Sequence, residues 1–101
     1  MTFTRITKRE DFVTIGKKGK RKHTSHFIVI TSPNEVQRFG ITVTKRTASK
    51  AVDRNRIKRV LREVFRLRPH FFPSGNVIVI AKRGAEKLSF WDVENEFLSC
   101  G

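Results

Sequence analysis

The stretch that most restricts what this chain can become is Ala51 to Leu67, AVDRNRIKRVLREVFRL. At about 100° per residue, Ile57, Val60, Leu61, Val64 and Phe65 fall at i, i+3, i+4, i+7 and i+8 and share one side of a helix. Asn55, Arg59, Arg62 and Arg66 share the opposite side, with Arg56 and Lys58 flanking them. Glu63 alone opposes that charge from the polar face. Pro69 disfavours the α region for the residue before it, so the helix is expected to end at Arg68. The rest of the chain must therefore supply an apolar surface for one stripe and leave a cationic stripe outside.

Like charges at i,i+3 and i,i+4 repel by a few tenths of a kcal/mol per pair. A helix selected for stability alone would interleave glutamates. The repulsion makes sense if a polyanion covers that face, and arginine suits such a partner because its planar fork binds phosphate bidentately and stacks on bases. A merely solvated basic face is the plainer alternative. The near absence of opposing acids favours the polyanion.

At 101 residues the chain is read as one domain, 1–101, with room for one core. Its net charge of +13 is the footprint of a nucleic-acid binder. The charge is uneven: residues 1–85 carry 21 basic and 5 acidic side chains, whereas residues 86–101 carry one basic and four acidic. No lipidation signal, long apolar run or signal peptide supports a membrane or export role. The single cysteine, Cys100, excludes an internal disulfide, and a reducing, cytoplasmic setting is expected.

Along the chain, Thr7-Lys8-Arg9-Glu10 has capping-box spacing, predicting a short helix from Lys8 that Gly16 and Gly19 end. Lys17 to Lys22 (KKGKRK) reads as a basic loop. His26 to Thr31 and Arg38 to Thr44 read as strands around a Pro33-Asn34-Glu35 turn, and are expected to pair as an antiparallel hairpin. Ser49 is a reasonable N-cap for the long helix, with Asp53 in its first turns. Val77 to Ala81 (VIVIA) lacks alternation and reads as a strand covered on both faces. Ser89-Phe90-Trp91-Asp92 opens a last helix with Phe90, Val93 and Phe97 inward. The order predicts an α/β (α+β) sandwich with three helices on a small mixed sheet.

No catalytic constellation is visible. Glu10 and Asp11 are adjacent and point apart on a helix. Asp92 and Glu96 are i,i+4 but lie on the acidic last helix. His23, His26 and His70 lack the partners of a metal site. There is no phosphate-binding glycine loop and no nucleophile elbow. Catalytic residues and protein-held metals are therefore both expected to be none.

Beyond composition, Phe39-Gly40-Ile41-Thr42-Val43-Thr44-Lys45-Arg46 followed by Ala51-Val52-Asp53-Arg54-Asn55-Arg56-Ile57-Lys58-Arg59 closely resembles the signature of the bacterial ribonuclease P protein component. The resemblance runs on through Leu61-Arg62-Glu63 and also takes in Glu10-Asp11-Phe12, Phe27, VIVIA and Leu88-x-Phe90. It implies a basic subunit of a ribonucleoprotein endoribonuclease that trims the 5′ leader of precursor tRNA, with catalysis by the RNA subunit. It implies a four-stranded sheet, with a possible short extra strand, and a left-handed β-α-β crossover, a hand the general rule would not give.

Carried over by position, Lys45, Arg46, Lys50, Arg54, Asn55, Arg56, Lys58, Arg59, Arg62 and Arg66 would contact the RNA subunit. Phe12, Ile15, Lys17, Ile30 and Arg38 would line a cleft for the leader. Gly16 and Ile30 stand where some members carry aromatics, which implies weaker stacking; core packing is the competing role for Phe12. The partners implied are the RNA subunit and precursor tRNA, with no membrane and no obligate protein partner. No cofactor is expected on the protein, and magnesium is expected in the holoenzyme. A structural RNA-binding protein, as in a ribosome, and a stand-alone nuclease are the competing readings.

Overall fold

The run VIVIA lacks polar alternation because it occupies the middle of a five-stranded sheet. A computed structural model describes residues 4–6, 9–72 and 74–100, with the side chains of 4, 99 and 100 outside the description. Its strands are β1 (Thr4–Arg5), β2 (Lys20–His23), β3 (Phe27–Ser32), β4 (Arg38–Thr42) and β5 (Asn76–Ala81), in the order β1-β4-β5-β3-β2. The helices are α1 (Arg9–Lys18), α2 (Ala51–Leu67) and α3 (Phe90–Cys100), with single 3₁₀ turns at Pro69–Phe71 and Ala85–Lys87. The capping box at Thr7-Lys8 and the Cys100 thiol lie outside the described residues.

Successive residues of β5 point to opposite faces. Val77, Val79 and Ala81 enter the larger core with Phe27, Val29 and Phe39. The apolar stripe of α2 (Ile57, Leu61, Val64, Phe65) and Val93 and Phe97 of α3 close that core. Phe39 stacks on Phe65 at 4.3 Å between centroids, and Phe72 meets both rings edge-on. On the other face Ile78 joins Ile30, Ile15 and Ile6 in a smaller core under α1, with Phe12 packed against it. Helix α2 spans the residues its periodicity predicts, and Arg68, at φ −132°, leaves the helix ahead of Pro69.

Four local expectations are not met, two of them because tertiary pairing overrides the local pattern. The segments 26–31 and 38–44 do not form a hairpin: β5 inserts between them, antiparallel to β3 and parallel to β4. Parallel pairing of β4 and β5 is possible because α2 supplies the long crossover it needs. The basic run Lys17 to Lys22 is not a loop; it ends α1, turns at Gly19, and continues as edge strand β2, paired with β3 from Lys20↔Thr31 to His23↔Ile28. All four β2 residues are exposed, so its lysines blunt an open sheet edge. The N-cap of α2 is Lys50, not Ser49, with no side-chain cap. Gly16 does not end α1, which runs on to Lys18.

Candidate nucleic-acid interface

Burial of one stripe of α2 forces the other outward. Asn55, Arg56, Arg59, Arg62 and Arg66 are exposed, and Arg54 and Lys58 are partly so. These cations are not equivalent. Arg54 donates from Nη1 to the carbonyls of Ala48 (2.9 Å) and Ser49 (2.8 Å), fastening the loop that precedes the helix. Arg56 donates from Nε to the Glu86 carbonyl (3.1 Å), tying α2 to the Ala85–Lys87 turn. Arg66 is neutralised by Glu63 at 2.7 Å, one turn back. Arg59 and Arg62 have no anion within ion-pair distance among the described residues.

Arg62 and Lys58, one helical turn apart, line a cavity of about 270 Å³ together with Arg5, Ile6, Phe12, Phe39, Gly40 and Ile41. It opens where two-residue β1 stops covering the edge of β4. Arg5 comes from β1, the lysine and arginine from α2, and the Phe12 ring from α1 on the opposite face of the sheet. Among the described residues none of the three cations pairs with a carboxylate. Arg5 escaped the sequence reading because a two-residue strand carries no periodic signal. Its alignment beside β4 comes from the pairs Thr4↔Arg38 and Arg5↔Phe39 and from the Ile6 amide donating to the Phe39 carbonyl at 2.8 Å.

The turn after β4 adds further charge. Lys45, Arg46 and Lys50 are exposed around a turn closed by the Thr47 and Ala48 amides donating to the Thr44 carbonyl. Arg83, also outside the expected set, reaches the Arg46 carbonyl from Nε at 3.3 Å.

The residues expected to line a second cleft separate into two groups. Ile15 and Ile30 are 4% and 1% exposed and pack in the smaller core under α1, where Ile15 also lines the floor of a cavity beside that helix. Phe12 is half-buried over Gly40, and Lys17 is exposed. Arg38 is held by a cross-strand row at one end of the sheet. Its Nε donates to Asn76 Oδ1 (2.7 Å), the Asn76 amide donates to Ser32 Oγ (3.1 Å), and Asp11 of α1 lies 3.4 Å from its Nη1. Space beside Gly16 is open: a β-carbon there would meet nothing within 4 Å.

The acidic end of the molecule is used for docking its own helix. Glu96 accepts from the Thr24 hydroxyl, from the His26 amide (2.9 Å), and pairs with His26 Nδ1 (2.7 Å). Burial raises the cost of charging Glu96, but these bonds together outweigh it and hold its carboxyl below the ordinary range. Asp92 is likewise lowered, by the amide and then the hydroxyl of Ser89, in the capping box expected there. Arg68 and Glu94 form a further pair at 3.1 Å. The cationic surface lies mainly on β1, α1, β2, α2 and the turns after β4 and β5. Among the described residues no group of three or more His, Cys, Asp or Glu lies together as metal ligands, and no helix is long and apolar enough to cross a membrane.

Against known proteins, residues 2–100 match the family described as Ribonuclease P. The ribonuclease P protein component of Syntrophus aciditrophicus (strain SB) is 42% identical over 95 residues, covering 91% of this chain and 79% of the relative. The solved RNase P protein of Staphylococcus aureus superposes with a TM-score of 0.84 at 34% identity, over 95% of this chain and 90% of the other. That of Thermotoga maritima gives 0.82 at 32% identity, over 94% and 92%.

Proposed function

The chain belongs to the ribonuclease P protein family, and from that premise we propose how its surface serves the ribonucleoprotein that matures the 5′ end of tRNA. The exposed face of α2, with Lys45, Arg46 and Lys50 beside its start, docks on the RNA subunit. Arg59, Arg62, Lys58 and Arg5 take its phosphates, while Arg54 and Arg56 chiefly hold the backbone in place for them. The cleft beside α1, walled by Phe12, Lys17 and Arg38, receives the single-stranded leader of precursor tRNA. Bond breaking belongs to the RNA subunit, and magnesium to that RNA and its substrate. The assembly works in the cytoplasm, where precursor tRNA is met.

The observation that carries this reading is the trio Arg5, Lys58 and Arg62 around one cavity, none of them paired with a carboxylate among the described residues. Converging cations are tolerated where a phosphate replaces the missing carboxylate. The test is cleavage of precursor tRNA at low magnesium by the protein alone, the RNA subunit alone, and both. The reading requires an inert protein that raises turnover when added to the RNA. Cutting by the protein alone, or no effect on the RNA, would reject it.

A further inference from the structure

A second cavity, of about 350 Å³, lies between α1 and the sheet end where β3 stops and β4 and β5 begin. That is within the roughly 300–1,000 Å³ range of small-ligand clefts. Its walls are chemically unlike the cationic cavity at the β4 edge. Asp11, Thr14 and Lys18 come from one face of α1, and Ser32, Arg38 and Asn76 from three neighbouring strands. The strand residues are in register, Ser32↔Asn76 and Asn76↔Arg38, and bonded side chain to side chain across the row. Asn76 is 7% exposed and spends both ends of its amide on this row. Burying a polar amide there is costly unless both ends are bonded, and its effect is to fix the Arg38 guanidinium at the cavity wall.

We propose that this cavity reads one base of the single-stranded leader and selects guanine. The inference rests on the leader reading above. A carboxylate in the wall disfavours phosphate, so the occupant must offer donors as well as acceptors. Asp11 gives one oxygen, at 3.4 Å, to Arg38; among the described residues its other oxygen meets no donor and can accept. Guanine presents adjacent donors, N1–H and the 2-amino group, which a carboxylate accepts as a pair. Its O6 lies beside them, where Arg38 or Lys18 donates. Adenine, cytosine and uracil lack two adjacent donors on that edge. Single-stranded bases are commonly read on such edges.

The experiment is fluorescence anisotropy of the full chain with labelled U-rich hexaribonucleotides carrying one central guanine, adenine, cytosine or inosine, at fixed salt. Guanine should bind about tenfold more tightly than adenine, the scale of a bidentate base contact. Inosine, which lacks the 2-amino group, should fall toward adenine. Asp11→Asn should weaken guanine binding by about tenfold and leave adenine within about twofold, whereas a purely structural role for Asp11 would weaken all four alike. Equal affinities, no binding of any hexamer, or a guanine preference that survives Asp11→Asn overturns the proposal. The inosine comparison uses the unaltered protein and so remains decisive if the variant does not fold. Affinity for the RNA subunit, measured on the same samples, separates the outcomes: its retention with no base preference rejects the guanine pocket alone.

Discussion

The ring of Phe12 lies against Gly40 so closely that a β-carbon on Gly40 would come within 2.7 Å of both Cε1 and Cζ. Gly40 sits mid-strand with no positive φ, so only its missing side chain matters. That absence lets α1 reach the sheet and brings Phe12 to the cavity it shares with Lys58 and Arg62. Gly40→Ala should therefore cost about 1–3 kcal/mol by overpacking. In a Phe12→Ala background the same change should cost much less. Urea unfolding of the four proteins in this cycle checks it, and additive losses would show that the ring is not the obstacle.

The α2 arginines should divide into two classes. Arg56→Ala removes a bond to the Glu86 carbonyl and should lower stability by about 0.5–1 kcal/mol as well as weakening RNA binding. Arg59→Ala and Arg62→Ala should leave stability nearly unchanged. Each should reduce the slope of log affinity against log salt by about one, the loss of a single phosphate contact. Melting curves and salt titrations of the three variants with the RNA subunit test the division.

Glu96 should dominate the acid response of the α3 dock. Its folded pKa lies below the ordinary value, so it adds stability above the unfolded pKa, near 4.5. That contribution is lost as pH falls through the folded pKa. Asp92, lowered by Ser89, titrates in the same sense. Stability should therefore drop below about pH 5, and Glu96→Gln should flatten part of that drop while lowering stability at pH 7. Denaturant midpoints between pH 7 and 3 for the two proteins measure both effects.

Sulfate should raise the melting temperature of the free protein, because Arg5, Lys58 and Arg62 line one cavity and none pairs with a carboxylate among the described residues. Arg62→Gln should raise the melting temperature slightly in low salt and shrink the gain from sulfate. An anion titration that leaves the unaltered protein unchanged would contradict the role given to this cavity.

What the sequence made legible was whatever rests on strong short-range pattern. Helix α2 declares both ends through its 3.6-residue stripe and Pro69, and β5 declares its burial through five apolar residues in a row. What it hid depends on distant partners. Nothing in residues 26–44 announces that Val77–Ala81 will come between the two strands, because a turn signal such as Pro33-Asn34 fits a hairpin as well as a longer departure. Strand β2 has no apolar residue and exists through its pairing with β3. Arg5 joins Lys58 and Arg62 only through the β1–β4 register, across a sequence separation that no local motif spans. Ile15 and Ile30 are read as cleft residues; both pack in the smaller core under α1, and Ile15 also floors the cavity beside Asp11 and Arg38, a double role that no local pattern announces.

The most direct test of the central claim is site-directed cleavage of the RNA subunit by a tethered iron chelate. With Cys100 replaced by serine, single cysteines at Arg62 on α2 and at Trp91 on α3 place the chelate on the cationic and the acidic side of the molecule. The chelate at position 62 should cut the RNA subunit at a few defined sites, and the chelate at position 91, two-thirds exposed in the free protein, should cut little. Equal cutting from both positions, or none from position 62, would contradict docking through the arginine face of α2.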